Sequence, residues 1–229
     1  MEVLSGGYTL SLAPGTFPLS TDSMVLADFV RLPRNAEVLD LGSGCATLGL
    51  LLCARDPGCR VTGIELTPAA HEAALQNIEA NGLSARLFSL CADLRQMPPG
   101  IHPGQFSCCV SNPPYFSGGA ASRQTPLARR DDCCTPAELM EAAAKALRWG
   151  GDFFLVQKPE KLAQLCYEAG RRGLEPKRLR LVRCRSDKPV SMILLQCRRG
   201  GKPGLILEEL TLYHPDGSPT EDCRRIYHL

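Results

Sequence analysis

Short apolar runs alternate with longer amphipathic stretches along most of the chain. Glu37–Leu41 and Arg60–Ile64 are apolar runs of strand length, and each is followed by apolar residues at helical spacing. Strands that alternate with helices are typical of a parallel sheet covered by helices on both faces. The pattern therefore predicts a doubly wound, Rossmann-like α/β fold. The runs that would complete its seven-stranded sheet are 85–90, 106–110, 152–156, 178–184 and 190–198.

Local signals set the bounds of several predicted helices. Thr67-Pro68 provides an N-cap and a first-turn proline, and Asn81-Gly82 ends that helix. The apolar side of this helix is predicted to hold Ala70, Ala74, Leu75 and Ile78. Thr135-Pro136-Ala137-Glu138 reads as a capping box, and Thr21-Asp22 is expected to cap a short helix before the first strand of the sheet.

No internal repeat, low-complexity run or linker divides the chain, so we predict one domain over residues 1–229. Within it we expect an N-terminal lid segment (1–35), a core (36–200) and a C-terminal tail (201–229). The tail contains the apolar runs 205–207 and 210–213.

Four successive predicted strands end in residues suited to contact a ligand. Gly42-Ser43-Gly44 follows the first strand and begins a helix, and only glycine lets a backbone pass this close to a ligand without a clash. Glu65 ends the second strand and can accept hydrogen bonds from ribose hydroxyls. Asp93 and Asn112 follow the third and fourth. Because parallel strands bind ligands at their carboxyl ends, these residues are expected to converge.

The charge is distributed unevenly. Residues 158–202, the basic block, hold 13 lysines and arginines against 4 acidic residues, while residues 1–157 hold 11 against 15. Such a block suits phosphate contacts with a nucleic acid, or it is a solvated positive face.

Other features exclude some classes of protein. The twelve cysteines show no C-x-x-C spacing and the four histidines are scattered, so no metal site is predicted and the thiols are expected to pack in a reducing compartment. The longest apolar run, 48–54, is too short to span a membrane, and the N-terminus lacks the pattern of a signal peptide. We expect a cytoplasmic protein that needs no membrane and no obligate protein partner.

The stretch Ser111-Asn112-Pro113-Pro114-Tyr115 carries the most specific chemistry. Two adjacent prolines end the strand in a stiff, extended turn, and they leave backbone carbonyls free to accept hydrogen bonds. Asn112 adds an amide, and Tyr115 adds a flat face for stacking. Rigid acceptors beside an aromatic ring suit a planar amine or amide.

Together, the glycine turn, Glu65, Asp93 and Asn-Pro-Pro-Tyr resemble the class I S-adenosylmethionine-dependent methyltransferases that methylate amino groups. Phe17–Leu26, Ala128–Asp131 and the ending Leu212–Tyr227 resemble the bacterial tRNA N6-adenine methyltransferases, which modify the adenosine 3′ of the anticodon in a valine tRNA. The resemblance covers about Tyr8 to Tyr227. It implies S-adenosyl-L-methionine as cofactor, tRNA as partner and a sheet whose last strand is antiparallel.

The resemblance also implies roles for individual residues. Asn112, Pro113 and Tyr115 would be catalytic, with Asn112 and the Pro113 carbonyl as acceptors for the target nitrogen. The substrate-binding residues would be Pro114, Tyr115, Phe116, Arg129 and Arg130. The cofactor-binding residues would be Thr21, Asp22, Asp40, Gly42, Ser43, Gly44, Glu65, Leu66, Asp93, Leu94 and Asn112.

Two positions depart from the pattern of these enzymes. Ala46 stands where glycine is common, and we expect a negative φ there because a helix is beginning. Arg130 stands where histidine is usual, so the resemblance assigns no specific base contact to it.

The site alone leaves several substrates open. Adenine N6, cytosine N4, guanine N2 and a protein glutamine amide are all planar nitrogens that would fit. The alternatives are a protein glutamine N5-methyltransferase, an rRNA or DNA amino-methyltransferase, and a catalytically silent RNA-binding module.

Overall fold

The computed structural model describes residues 2–12, 19–113 and 134–228, and within these ranges it contains ten strands and six α-helices. The helices are α1 (Thr21–Phe29), α2 (Thr47–Arg55), α3 (Pro68–Ala80), α4 (Pro136–Ala146), α5 (Leu162–Gly170) and α6 (Glu221–Tyr227). The strands are β1 (Glu2–Val3), β2 (Thr9–Leu10), β3 (Glu37–Leu41), β4 (Arg60–Glu65), β5 (Leu87–Cys91), β6 (Phe106–Ser111), β7 (Leu147–Gln157), β8 (Leu174–Arg185), β9 (Val190–Arg199) and β10 (Ile206–Tyr213). Short 3-10 turns occur at Ser5–Gly7 and Pro159–Lys161.

Eight of these strands form one sheet in the order β10-β8-β9-β7-β6-β3-β4-β5. All the neighbouring pairs are parallel except the two that β9 makes, with β7 and with β8. The predicted fold class is therefore confirmed, including the antiparallel last strand of the seven. β1 and β2 form a separate antiparallel pair before α1.

The sheet has eight strands instead of the predicted seven because the C-terminal segment joins it. β10 pairs in parallel with β8 from Ile206 opposite Arg178 to Tyr213 opposite Arg185. Leu210 and Leu212 face the core, whereas Ile206 and Leu207 are exposed on this outermost strand of the sheet. The alternation of apolar and polar residues along 205–213 is typical of a strand. Nothing in the local sequence indicates that it pairs with β8, whose residues lie about 28 positions earlier in the chain.

Helices cover both faces of the sheet and bury two apolar clusters. α1, α2, α3 and α6 pack on one face, and α4 and α5 pack on the other. Successive residues of each central strand point to opposite faces of the sheet and so belong to different clusters. Val38 packs under the first set of helices and Leu39 under the second. Seven cysteines of the described ranges are buried, as expected of core thiols: Cys45, Cys53, Cys59, Cys108, Cys109, Cys197 and Cys223.

The helix bounds agree with the local signals in most places. Pro68 begins α3, and Asn81 and Gly82 end it. Thr135 and Glu138 form the predicted capping box of α4. The cap of α1 is different: the side chain of Ser20, rather than Thr21, accepts from the Ser23 N–H.

Two further details of the prediction were wrong. Leu75 is exposed, and Ala73 joins the buried face of α3 in its place. β7 begins at Leu147, five residues before the predicted strand 152–156, because the strand continues through a register shift beside β6.

The two edges of the sheet carry different residues. The carboxyl ends of the parallel strands form one edge, called here the carboxyl edge, where Asn112 follows β6 and Lys158 follows β7. The β8–β9 turn lies at the same edge because Arg183 is paired with Val190. The opposite edge, called the amino edge, holds the start of β8 and the end of β9.

Candidate active site

The glycine turn lies between β3 and α2 and leaves open space beside its backbone. Gly42 and Gly44 have φ of 79° and 56°, and a Cβ added to either would meet no atom within 4 Å. The Gly42 and Ser43 N–H groups donate to the Ile64 carbonyl at 2.9 and 3.0 Å, which fixes the turn against β4. The glycines therefore allow the positive φ angles of the turn and leave space beside its backbone. They are not required by close packing in the core.

Asp40 lies two residues before this turn and is buried with no compensating group. Neither carboxylate oxygen has a hydrogen-bond partner within the described residues. Burial, and then the charge of Glu65, raise the pKa of Asp40 to about 8. Because a buried and unpaired carboxylate is costly, this position favours a ligand that brings a positive charge or hydrogen-bond donors.

Glu65 ends β4 and connects the glycine turn to the start of α3. Its Oε2 accepts from the Gly44 N–H at 2.8 Å, and its Oε1 accepts from the Thr67 N–H at 2.7 Å. Each carboxylate oxygen keeps a second lone pair, so Glu65 can still accept from a ligand hydroxyl.

Asp93 follows β5 and is held by its neighbour Arg95. The Arg95 guanidinium donates to both Asp93 carboxylate oxygens at 2.6 to 2.9 Å, and these side-chain hydrogen bonds lower the pKa of Asp93. The loop that carries Asp93 lies beside the end of β4, because the Ala92 N–H donates to the Glu65 carbonyl at 2.9 Å. The third predicted strand end therefore does converge on the second.

Asn112 is held at the end of β6 by contacts from two directions. Ser111 Oγ donates to the Leu41 carbonyl at 2.6 Å, which fixes the end of β6 beside the glycine turn. Asn112 Nδ2 donates to Ser23 Oγ of α1 at 3.0 Å. With Nδ2 engaged by Ser23, the amide presents Oδ1 as its remaining acceptor.

The other predicted site residues are distributed as follows. Pro113 is buried directly after Asn112. Thr21 and Asp22 lie in the first turn of α1, which also carries Ser23. Leu66 is exposed, and Leu94 packs partly buried against the cluster beneath α4 and α5. The positions that lie outside the described residues are Pro114, Tyr115, Phe116, Arg129 and Arg130.

Two polar residues at this edge were not predicted from sequence. Ser23 lies within the segment Phe17–Leu26, and nothing in the local sequence indicates its contact with a residue 89 positions later. Gln157 ends β7 and is fully buried; its Oε1 accepts from the Lys158 N–H, while its Nε2 has no partner within the described residues. A polar residue at the end of an apolar strand was the only signal available for Gln157.

These features fit S-adenosylmethionine, which carries an ammonium, a sulfonium, ribose hydroxyls and an adenine amine. The unpartnered Asp40 carboxylate suits its positive charge, and the buried Ser43 Oγ also lacks a partner within the described residues. A nucleoside would fit the space beside Gly42 and Gly44, with Glu65 as a hydrogen-bond acceptor. The described ranges contain no cluster of side chains that could hold a metal ion. The fold and the site define a class I methyltransferase that uses S-adenosylmethionine.

Comparison with known proteins identifies the family. The methyltransferase small domain matches residues 19–166, and the chain belongs to that family. A relative from Yersinia pestis (strain Pestoides F), named tRNA1(Val) (adenine(37)-N6)-methyltransferase, is 30% identical over 214 residues, which are 91% of this chain and 85% of the relative. A relative with the same name from Photobacterium profundum is 28% identical over 87% of this chain and 85% of its own.

Solved structures agree on the fold. The crystal structure of a predicted O-methyltransferase from Agrobacterium tumefaciens superposes with a TM-score of 0.75 at 22% identity and covers 91% of this chain and 96% of its own. A TehB-like S-adenosylmethionine-dependent methyltransferase from Corynebacterium glutamicum gives a TM-score of 0.54 at 19% identity over 77% of this chain and 86% of its own.

Proposed function

We propose that this protein transfers a methyl group from S-adenosylmethionine to the exocyclic N6 amine of an adenosine in tRNA. The adenosine 3′ of the anticodon of a valine tRNA is the target we favour, because the relatives that span most of the chain carry that activity in their names. The observation that carries the reaction type is the placement of Asn112, whose amide is oriented by Ser23 beside the glycine turn.

The cofactor would be held by the ends of three strands. Asp40 would face its positive charge, Glu65 would accept from the ribose hydroxyls, and Asp93 would accept from the adenine amine. Gly42, Ser43 and Gly44 would form the wall beside the methionine and ribose. When bound, S-adenosylmethionine supplies a methyl group activated by the sulfonium.

The chain's own contribution is to make the target nitrogen reactive. The lone pair of an aryl amine is delocalised into the ring, which makes the amine a poor nucleophile. Asn112 Oδ1 and the Pro113 carbonyl would each accept one of its hydrogens, pulling the nitrogen towards tetrahedral geometry and aiming its lone pair at the methyl. Preorganised acceptors of this kind contribute about 3 to 4 kcal/mol to a transition state.

Substitution of Asn112 tests this mechanism directly. We expect Asn112→Ala to lower kcat by roughly 10²- to 10³-fold, because it removes an acceptor aimed at the reacting nitrogen. The dissociation constant for S-adenosylmethionine should stay within a few-fold of the wild type. Methyl transfer from labelled cofactor to total tRNA, followed by nucleoside analysis, measures the first quantity, and calorimetry measures the second. Full activity in Asn112→Ala would contradict the role of this residue.

The same assay separates the candidate substrates. N6-methyladenosine in tRNA is the expected product, and the cytoplasmic location that we predict agrees with such a substrate. Methylation of a protein glutamine without any product in tRNA would overturn the proposed substrate and leave the amine-activating site in place. Cofactor binding without transfer to any amine would indicate a silent RNA-binding module.

A further inference from the structure

The sheet divides the basic block between its two edges. Lys161 and the β8–β9 turn with Lys188 lie at the carboxyl edge, beside the strand end that carries Asn112. Lys177, at the start of β8, and Lys202, after β9, lie at the amino edge. Arg183 lies six positions after Lys177 on β8, which is about 20 Å along an extended strand. A phosphate near one group of cations is therefore far from the other.

The cations of the amino edge are mostly engaged within the protein. A cleft of about 500 Å³ at this edge is lined by five of them, Arg31, Arg148, Lys177, Arg178 and Arg198. Of these, Arg178 is paired with Glu208 at 2.9 Å and Arg198 with Asp152 at 2.8 Å. Lys177 Nζ donates to the Lys202 carbonyl at 2.8 Å. These two arginines hold strands together, whereas Lys202 and Arg148 have no acidic partner within the described residues. Proximity to Asn112, rather than free charge, therefore distinguishes the two edges.

The carboxyl edge also carries lysines without an acidic partner in the part of the chain that the structure describes, and it is the edge at which Asn112 lies. Lys161 and Lys188 have no acidic partner within the described ranges, while Arg183 donates to the Lys188 carbonyl at 3.1 Å and so shapes the turn. Arg185 is paired with Asp187 in the same turn. The turn after β7 also carries Lys158, whose Nζ donates to the Ser191 carbonyl, and Glu160, and Asp216 follows the end of β10 beside Arg185.

We propose that the turn after β7 and the β8–β9 turn bind the sugar-phosphate backbone of the RNA on one side of the target base. The contacts would come from Lys158, Lys161, Arg183 and Lys188. β9 and β8 are two and three strands from β6, which places this surface about 10 to 15 Å from Asn112 across the sheet. A base that enters the site at Asn112 leaves its neighbouring phosphates at that edge. This proposal rests on the RNA substrate proposed above.

Two double substitutions with equal charge change test the assignment. Lys161→Gln/Lys188→Gln removes two positive charges at the carboxyl edge, and Lys177→Gln/Lys202→Gln removes two at the amino edge. In each pair one lysine is half-buried and the other is exposed, so the controls are matched in accessibility as well as in charge. Binding of unmodified tRNA is measured across a salt titration at constant pH, together with Tm, cofactor affinity and methyl transfer.

We expect the carboxyl-edge variant to bind tRNA roughly 10- to 30-fold more weakly at about 0.1 M salt, because each single-strand phosphate contact contributes about 0.7 to the slope of log K against log salt. Its salt slope should fall by about 1.4, with Tm and cofactor affinity unchanged. The amino-edge variant should bind within about 2-fold of the wild type. An equal or larger loss in the amino-edge variant, or no loss in the carboxyl-edge variant, would overturn the proposed surface. A wild type that neither binds nor methylates tRNA would instead overturn the proposed function.

Discussion

At the scale of single residues, the contact between Ser23 and Asn112 would decide which end of the amide faces the substrate in the proposed site. An amide turned the other way round would point Nδ2, a donor, at the hydrogens of the target amine. Ser23 Oγ accepts from Nδ2 at 3.0 Å and thereby selects the productive orientation. In the proposed mechanism Ser23 is thus a positioning residue that acts through Asn112.

Loss of the Ser23 hydroxyl should slow the chemical step more than it weakens binding. We expect Ser23→Ala to lower kcat about 5- to 10-fold, which corresponds to a hydrogen bond of about 1 kcal/mol, with KM for tRNA nearly unchanged. Ser23→Thr keeps an acceptor and should restore most of kcat. Ser20→Ala is the control: it removes the cap of α1 and a 3.5 Å contact with Ser23 Oγ and costs about 1 kcal/mol of stability, but it keeps the Ser23 hydroxyl that accepts from Asn112. If Ser20→Ala and Ser23→Ala lower kcat equally, Ser23 acts only through the stability of α1.

The raised pKa of Asp40 predicts how the free energy of unfolding of the cofactor-free protein depends on pH. Because burial and Glu65 raise the pKa of Asp40 from 3.8 to about 8, the folded state binds a proton that the unfolded state releases above its own pKa of 3.8. The resulting stability is present in full below that value and is lost as the pH rises towards 8, with a slope of up to about 1.4 kcal/mol per pH unit. Denaturant unfolding between about pH 5 and pH 8 measures this slope, and Asp40→Asn should flatten it.

Cofactor binding should shift Asp40 from the protonated form to the ionised form. A positive charge beside the carboxylate favours the ionised form, so binding is expected to release a proton and to strengthen as the pH rises from about 6 to 8. Calorimetry in buffers of different ionisation enthalpy reports the proton release. A wild-type affinity that is independent of pH over this range would contradict the placement of the cofactor's charge against Asp40.

At the scale of elements, two amide side chains on and after α3 hold the N-terminal segment as a neighbouring strand would. Asn77 exchanges two hydrogen bonds with the backbone of Ser11, at 2.8 Å each, and Asn81 does the same with Thr9 at 2.7 and 2.8 Å. Asn77 Nδ2 also donates to the Cys45 carbonyl at 2.9 Å. One buried side chain therefore joins the N-terminal segment to the end of the glycine turn.

Asn77→Asp should damage both regions that this residue joins. A carboxylate there has no donor for the Ser11 and Cys45 carbonyls, and each lost buried partner costs about 1 to 3 kcal/mol. We expect a fall in the free energy of unfolding of about 3 kcal/mol or more and weaker cofactor binding. Asn81→Asp is the matched control: it loses contacts with Thr9 but not with the glycine turn, so cofactor affinity should stay near that of the wild type. Equal losses of affinity in both variants would contradict a specific link through Asn77.

The end of the glycine turn shows where local reasoning failed. Ala46 was expected to have a negative φ as a helix begins, but it is the N-cap of α2 and has φ 67°, ψ 27°. The left-handed conformation costs a non-glycine residue about 1 to 2 kcal/mol. Its methyl group is buried in the core, which returns about 0.8 kcal/mol, so the site tolerates alanine.

These opposing terms predict the outcome of two substitutions at Ala46. Ala46→Gly relieves the strain but loses the buried methyl and adds chain flexibility, so its free energy of unfolding should lie within about 0.5 kcal/mol of the wild type. Ala46→Val places a β-branched side chain in a left-handed conformation and should cost more than about 2 kcal/mol. Chemical denaturation measures both. A well-tolerated valine would show that the backbone here is not constrained to positive φ.

At the scale of the whole molecule, the sequence was informative wherever a feature is local. The strand–turn–helix unit of β3 and α2, the ends of α3 and the capping box of α4 depend on neighbouring residues, and their positions were predicted. The pairing of β10 with β8 and the Ser23–Asn112 contact join distant segments, and periodicity cannot show which distant segments pair. The convergence of Glu65 and Asp93 was predictable only because parallel strands share a carboxyl edge.

The C-terminal segment, expected to be a tail, is fastened to the rest of the protein by an ion-pair network. Glu208 on β10 accepts from Arg178 at 2.9 Å and from Arg180 at 2.8 Å. Arg178 is buried, and its guanidinium lies 4.2 Å from the ring centroid of Phe29 on α1. Arg180 also pairs with Asp28 at 3.1 Å. The network thus joins the last strand, the neighbouring strand and the first helix.

Removal of the charge on Glu208 should therefore destabilise the whole domain. Burial by itself would raise the pKa of Glu208, but hydrogen bonds from Arg178 and Arg180 hold it below 4.5, so the stability it contributes is lost only as the pH falls below that value. Glu208→Gln leaves the buried Arg178 without its counter-ion, and we expect a loss of about 2 to 3 kcal/mol at about pH 7, less than for a fully buried pair because Glu208 is partly exposed. Glu209→Gln is the matched control on the exposed side of β10 and should change stability by less than about 0.5 kcal/mol. Denaturant unfolding at neutral pH and again below the pKa of Glu208 measures both variants. Equal stabilities at neutral pH would mean that β10 is held by its backbone pairing alone, whereas a loss confined to Glu208→Gln would show that the segment after residue 200 is an integral part of the fold.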